Sequence, residues 1–141
     1  MPEEEFEQLV AEAYEKLPEW VREKIKNVAL LVEDEPSEEI RRIEGLRENE
    51  TLLGYYRGIP LTARGEYYGV GATMPDTITI YREPILDAAD EECPPNAPDE
   101  EFREHVRRIV AETVWHEFAH HFGMDEHEVR LRESERDNPQ K

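Results

Sequence analysis

The order of the elements predicts an α+β fold in which short strands lie between helices. Residues 2 to about 17 carry apolar side chains on one helical stripe, and a long helix is predicted to run to about Phe122, with Asp99 as the N-cap residue before it. Three short segments between these two helices have the composition of β-strands. The chain has 141 residues, the length of one ordinary domain, and no internal repeat. We therefore expect a single domain over residues 1–141.

The three predicted strands have different patterns. Residues 28–32 are continuously apolar, which is typical of a strand that is buried on both faces. Residues 52–57 have a strand-like composition and run into a turn that contains glycine and proline. Residues 77–81 alternate β-branched side chains with a period of two. That alternation predicts one solvated face and a position near the edge of the sheet.

Shorter helices and connectors complete the predicted fold. Pro18 ends the first helix, and a second short helix is predicted after it. Ser37 is placed to cap a modest helix, because its hydroxyl can accept a hydrogen bond from the first helical turn. Residues 88–98 combine acidic residues with three prolines and are predicted as a connector. Gly123 ends the long helix, and residues 129–141 are predicted as a charged helix or tail.

The charge balance excludes several classes of partner. Lys and Arg total 17 and Asp and Glu total 35, so the formal net charge is −18. Such a balance opposes the binding of phosphate backbones or anionic lipids, and we expect neither nucleic acid nor membrane as a partner. No apolar stretch approaches the roughly 20 residues of a membrane span. The single cysteine, Cys93, allows no internal disulfide, and the acidic N-terminus is unlike a signal peptide, so we expect a cytoplasmic protein.

One motif carries metal chemistry. Residues 116–120 read His-Glu-Phe-Ala-His, an H-E-x-x-H motif inside the long predicted helix. At about 100° per residue, His116 and His120 are only about 40° apart on the helix surface, so both imidazoles can bind one zinc ion. Glu117 projects at a different angle and can hydrogen-bond a metal-bound water without binding the metal. The apolar stripe of the helix continues through the two histidines, so we expect this face to point inward.

A catalytic zinc site needs a third protein ligand. Gly123 follows His120 by three residues and can break the helix and turn the chain back. Glu126 follows Gly123 by three residues, a spacing that lets a carboxylate from just beyond the helix reach the metal. Asp125 is the neighbouring alternative, and His127 is a more distant one. The residues therefore predict one zinc ion per chain, bound by the two histidines and one further ligand.

With these residues the chain resembles a known family, the small bacterial zincin-like metallopeptidases called mini-zincins. The specific match is residues 116–126, and looser matches are residues 53–60 and 75–81, so the resemblance covers about 28–128. It implies a minimal zincin fold, with a small mixed β-sheet packed on the active-site helix and an edge strand alongside the cleft. It also implies that the two histidines of the motif bind zinc and that Glu117 is the general base.

The sequence departs from related proteins in two places. The residue at the position of Glu126 is often an aspartate in them, whereas in this chain an aspartate, Asp125, comes one place earlier. The resemblance therefore keeps both carboxylates as alternatives for the third ligand. The larger metzincins have a methionine turn after the motif, and no methionine follows Met124 in this chain.

The leading hypothesis is a zinc peptidase that acts on a peptide or protein substrate. Zinc would lower the pKa of a bound water toward about 7, and Glu117 would take its proton during attack on the peptide carbonyl. Residues 78–81 would pair with an extended substrate by β-addition. The competing hypothesis is a metal-binding regulatory or interaction module, because so small a chain has little material for a second substrate-binding lobe. The net charge opposes a zinc nuclease or a ribosome-associated factor. The oligomeric state stays open, with a homodimer as one alternative.

The remaining candidate residues have structural interpretations. His121 lies about 140° from His116 around the helix and is expected to pack rather than to bind the metal, with a hydrogen bond that supports the site as the alternative. His105 is expected at the surface, and Cys93 is expected to be an inert loop thiol. The tyrosines are expected to pack, although one of them is an alternative group for polarising a substrate carbonyl. Residues 62–74 are predicted as a loop or hairpin rich in glycine and tyrosine.

Overall fold

The computed structural model describes residues 1–24, 28–58 and 76–121. Within these ranges the chain forms helices and strands in the following order: α1 (Glu3–Glu15), α2 (Glu19–Lys24), β1 (Val28–Glu33), α3 (Glu38–Ile43), β2 (Gly54–Arg57), β3 (Asp76–Tyr81), α4 (Arg82–Glu92) and α5 (Asp99–His121). Among the helices of these ranges, none has the length and apolar character needed to cross a membrane.

The three strands form one mixed sheet in the order β1-β3-β2. β1 runs parallel to β3, with Val28 opposite Asp76 at the start of the ladder. β2 runs antiparallel to β3, with Gly54 opposite Ile80. This mixed sheet and the surrounding helices confirm the predicted α+β class.

β3 is the central strand of the sheet, so its predicted position near the edge is wrong. Ile78 and Ile80 are fully buried, and Thr79 is only 8% exposed although it lies on the opposite face. The alternation of isoleucine and threonine misleads because the threonine methyl group packs well on a buried pleated surface. The predicted pairing of a substrate with residues 78–81 is also wrong, because β1 and β2 occupy the two sides of this strand.

β1 is less buried than its apolar composition predicts. Leu31 is 42% exposed, whereas Val28, Leu30 and Val32 pack against the core from the other face of the strand. The prediction of burial on both faces is therefore wrong. β1 is an outer strand of the described sheet, and a short apolar run does not by itself distinguish a half-covered outer strand from a fully covered central one.

The core lies where α1, α4 and the sheet pack against α5. The apolar stripe predicted for the first helix is buried as expected, through Phe6, Leu9, Val10, Ala13 and Leu17. The largest fully buried side chains of the described ranges are Trp115, Tyr81, Phe6, Phe118, Ile78, Ile80 and Ile85. Two of them, Trp115 and Phe118, belong to the C-terminal half of α5, so the core holds the part of the helix that carries the H-E-x-x-H motif.

The predicted helix cap at Ser37 is confirmed. Its hydroxyl oxygen accepts a hydrogen bond of 3.2 Å from the backbone N–H of Ile40, at the start of α3. The helix ends at Ile43, and Gly45 then takes a φ of 65°, a left-handed conformation that glycine adopts without a steric cost.

α4 occupies part of the chain that is predicted as a connector. Residues 88–92 belong to this helix, so only residues 93–98 connect it to α5. Pro84 stands in the first turn of α4, where a missing N–H costs no helical hydrogen bond. Ile85 and Ala89, four residues apart, are fully buried. The acidic residues hide the helical pattern because they fill the exposed positions around this narrow apolar stripe.

Candidate metal centre

α5 is the element that carries the motif. The helix begins at Asp99 and its first turn contains three acidic residues, which interact favourably with the positive end of the helix dipole. The N–H of Phe102 already donates to the carbonyl oxygen of Pro98 at 3.1 Å, so Asp99 is the first helical residue rather than the residue before the helix. The predicted long helix is otherwise confirmed up to His121, where the description of the chain ends.

His116, Glu117 and His120 converge on one small volume. One donor atom from each of the three side chains lies within 4.8 Å of the other two. The imidazole centroids of His116 and His120 are 4.8 Å apart and their planes are inclined by 71°. Glu117 Oε1 lies 3.4 Å from Nδ1 of His120. Two imidazoles beside a carboxylate form a donor set that suits zinc, so the residues present fit this metal.

The three side chains differ in exposure. Glu117 is only 9% exposed in its side chain, whereas the side chain of His120 is 34% exposed. His116 is also half-buried. The carboxylate therefore enters the centre from the buried side, while the imidazoles reach solvent.

A groove of about 410 Å³ leads into this centre. Residues 51–54 form one wall and α5 forms the other, with His116 and Glu117 at one end. The described residues that line this groove are Thr51, Leu52, Leu53, Gly54, Ile109, Glu112, Thr113, His116 and Glu117. β2 is an outer strand of the described sheet, because it pairs with β3 on one side. Its first residue, Gly54, lines the groove, so β2 is the strand beside the centre.

His121 is held by a hydrogen bond rather than by packing alone. The side chain is fully buried, and its Nδ1 lies 3.1 Å from Oδ2 of Asp76. The hydroxyl of Tyr56 donates to the same carboxylate oxygen at 2.7 Å. The end of α5 is thereby tied to β3 and β2 directly after His120. The sequence contains no signal for this network, because Asp76 and His121 are 45 residues apart.

Cys93 lacks the environment of a reactive thiol. Desolvation raises the pKa of the Cys93 thiol first, and the nearby carboxylate of Glu101 raises it further. A raised pKa disfavours the thiolate that acts as a nucleophile or a metal ligand. The interpretation of Cys93 as an inert loop residue therefore agrees with its surroundings.

The described tyrosines have partners or burial that account for them. The hydroxyl of Tyr55 donates to Glu44 at 2.8 Å, and that of Tyr56 donates to Asp76. Tyr81 is 1% exposed, and burial, followed by the nearby charge of Glu33, raises its pKa to about 12. Its hydroxyl therefore stays protonated within the core.

His105 is partly exposed, with 27% of its side chain accessible, and its Nδ1 lies 3.0 Å from Glu92 on α4. Its role is to join two helices near the surface, some distance along α5 from the motif. Several predicted features lie outside the described residues: Gly123, Asp125, Glu126, His127, the tyrosine-rich segment 62–74 and the tail 129–141.

Comparison with known proteins supports the same family as the motif does. A conserved hypothetical protein from Thermus thermophilus has a similar fold, with a TM-score of 0.51 over 86% of this chain and 94% of that chain. The two sequences are 22% identical. Among the curated proteins there is no match. The zincin-like metallopeptidase family matches residues 25–136, which is most of the chain and includes the whole H-E-x-x-H motif. The chain belongs to the zincin-like metallopeptidase family.

Proposed function

We propose that this protein is a zinc-dependent peptidase that hydrolyses peptide bonds in peptide or protein substrates. The observation that carries the proposal is the convergence of His116, Glu117 and His120 within 4.8 Å at the end of an open groove. Membership of the zincin-like metallopeptidase family supports the same reaction class. The donor set, the partial exposure and the groove together fit a centre that binds a metal and admits a substrate.

His116 and His120 are the proposed metal ligands within the helix. The third ligand of the proposal is Glu126, with Asp125 as the alternative, and the stoichiometry is one zinc ion per chain. Zinc bound there supplies a Lewis acid that polarises the substrate carbonyl and makes water more acidic. The buried end of α5, which is held by Asp76 through His121, keeps the second histidine in place.

Glu117 is the proposed general base. Its side chain is buried against β2, and its carboxylate lies at the junction of the groove with the two imidazoles. From there Oε1 can accept a proton from the attacking water and then deliver that proton to the leaving nitrogen. Proton transfer by a positioned side chain contributes roughly 10²–10⁴-fold to a rate, so most of the turnover depends on this residue.

The substrate is proposed to lie along the groove beside β2. The walls at Leu52, Leu53 and Ile109 offer apolar contact, and the backbone of an outer strand of the described sheet offers hydrogen-bonding groups to an extended peptide. The net charge of −18 favours substrates with basic residues over acidic ones. The substrate class is therefore an extended peptide that combines an apolar side chain with basic neighbours.

The test is digestion of a varied peptide library by purified, zinc-loaded protein, with and without a chelator. The wild-type protein is expected to cleave, and the chelator is expected to stop cleavage. Glu117→Gln is expected to keep one zinc per chain and to lose cleavage, whereas His116→Ala is expected to lose the zinc itself. Zinc binding without any chelator-sensitive cleavage would contradict the peptidase and favour the metal-binding interaction module.

A further inference from the structure

Gly54, the first residue of β2, lies unusually close to α5. A Cβ atom placed on Gly54 would come within 2.8 Å of Cγ2 of Thr113 and 3.0 Å of Cγ of Glu117. It would also lie 3.3 Å from the backbone oxygen of Thr79 on the central strand. The helix and the strand therefore approach each other at a distance that only a residue without a side chain permits.

The backbone conformation of Gly54 does not explain the glycine. The positive-φ glycines of the described residues are Gly45 and Gly58, and Gly54 is not one of them. Another residue could adopt the backbone angles of Gly54, so the need for glycine comes from its neighbours. One of these neighbours is the residue that the proposed function makes the general base.

The neighbours of Gly54 have little freedom to move away. Thr113 is 7% exposed, and its hydroxyl donates to the carbonyl oxygen of Ile109 at 2.8 Å, which holds its rotamer. Glu117 is also 7% exposed, and the atom that an added Cβ would meet is in the middle of its side chain rather than at its end. The Thr79 oxygen belongs to the central strand, which is paired on both sides. A side chain at position 54 must therefore displace Glu117, Thr113 or the strand.

We propose that Gly54 is a positioning residue for Glu117, and the proposal rests on the proposed function of Glu117 as general base. The bare backbone of Gly54 closes one side of the space around Cγ of Glu117. The carboxylate is thereby directed along α5 toward Nδ1 of His120, 3.4 Å from Oε1, and toward the mouth of the groove. Gly54 thus couples the edge of the described sheet to the reacting end of the helix.

The first arm of the test measures the contact without any activity assay. Gly54→Ala is expected to lower the Tm of the metal-free protein by about 3–10 °C, the usual effect of overpacking in a chain of this size. Thr113→Ser removes only Cγ2 and keeps the hydroxyl, and Glu117→Ala removes Cγ. Each of these substitutions is expected to recover part of the Tm that Gly54→Ala loses when it is combined with Gly54→Ala. The double variant is then more stable than the sum of the two single effects predicts. Additive effects of Gly54→Ala and Glu117→Ala would show that the two residues do not interact and would overturn the proposal.

The second arm measures catalysis in Gly54→Ala/Thr113→Ser, relative to Thr113→Ser alone. Thr113→Ser removes Cγ2, the atom closest to the added Cβ, so the remaining effect of Gly54→Ala acts mainly on Glu117. We expect kcat to fall by about 10–100-fold, KM to change less than about threefold, and zinc to stay at one per chain. Gly45→Ala is the control for general destabilisation, because no atom of the described residues lies within 4 Å of its Cβ position while its φ of 65° strains alanine. It is expected to lower the Tm and to leave kcat unchanged.

The two arms separate this inference from the proposed function. An unchanged kcat in the double variant, with a wild-type protein that cleaves peptides, would overturn the positioning role alone. A wild-type protein that cleaves nothing would overturn the peptidase. The stability measurements would then still decide whether Gly54 and Glu117 are coupled.

Discussion

The carboxylate of Asp76 lies 3.1 Å from Nδ1 of His121, so the first residue of the central strand holds the last described residue of the motif helix. Asp76 is 6% exposed and His121 is fully buried, so the interaction is shielded from water. The same oxygen of Asp76 also accepts the hydroxyl hydrogen of Tyr56. One carboxylate therefore joins β3, β2 and the end of α5 next to the proposed ligand His120.

Removal of this carboxylate is expected to destabilise the fold. Asp76→Ala takes one acceptor from the fully buried His121 and the half-buried Tyr56, and we expect the free energy of unfolding to fall by about 2–4 kcal/mol. Tyr56→Phe removes a single hydrogen bond to the same oxygen and is the control, with an expected loss of about 1 kcal/mol. Urea unfolding of the metal-free proteins measures both. Equal losses in the two variants would show that the contact with His121 adds nothing.

The third metal ligand can be identified by matched substitutions beyond the described helix. Glu126→Ala is expected to weaken zinc binding by about 100-fold or more, because loss of a ligand exceeds the roughly 10–100-fold effect of an outer-shell change. Asp125→Ala is expected to weaken it by less than about tenfold. Competition with a chromophoric chelator measures both affinities. The reverse ranking would assign the ligand to Asp125.

The groove wall at Leu52 is expected to contribute to substrate binding. Leu52→Ala removes apolar contact area at the groove but leaves the three side chains of the centre intact. We expect KM to rise by about 3–10-fold with kcat nearly constant, the effect of about 1 kcal/mol of lost contact. Leu31→Ala is the control, because Leu31 is 42% exposed on β1 and does not line the groove. Steady-state kinetics on a cleaved peptide measures KM and kcat for both variants. An equal KM in the two variants would show that this groove does not bind the substrate.

The raised pKa of Tyr81 predicts a loss of stability at high pH. The pKa of this tyrosine is about 12 in the folded chain, against a usual value of 10.0. As the pH rises above 10, the unfolded chain loses this proton first and the folded chain keeps it, so the free energy of unfolding falls. The contribution is complete below about pH 10 and is lost between about pH 10 and 12, up to about 2–3 kcal/mol.

Urea unfolding between about pH 9 and 11.5 tests this dependence, with Tyr81→Phe as the comparison. The variant lacks the ionisable hydroxyl, so its free energy of unfolding is expected to change less over this interval. The same pH slope in both proteins would show that Tyr81 is not the responsible group.

The local elements follow the sequence closely. The stripe that begins at Phe6, the cap at Ser37 and the long helix from Asp99 all appear in the structure. These features depend on helical periodicity and on hydrogen bonds between near neighbours, which short segments already encode. The end of α4 resembles a connector in the sequence because its acidic residues stand next to three prolines, although those prolines all follow the helix.

The sequence by itself determined that His116 and His120 share one face of a helix, with Glu117 projecting elsewhere, because the helical repeat sets those angles wherever the helix lies. Only the tertiary structure decided that β3 is central, that β2 borders the groove, and that Gly54 leaves no room for a side chain beside Glu117. Strand order and such contacts join segments that are far apart in the chain. They depend on which faces pack together, and the pattern of any single segment does not contain that information.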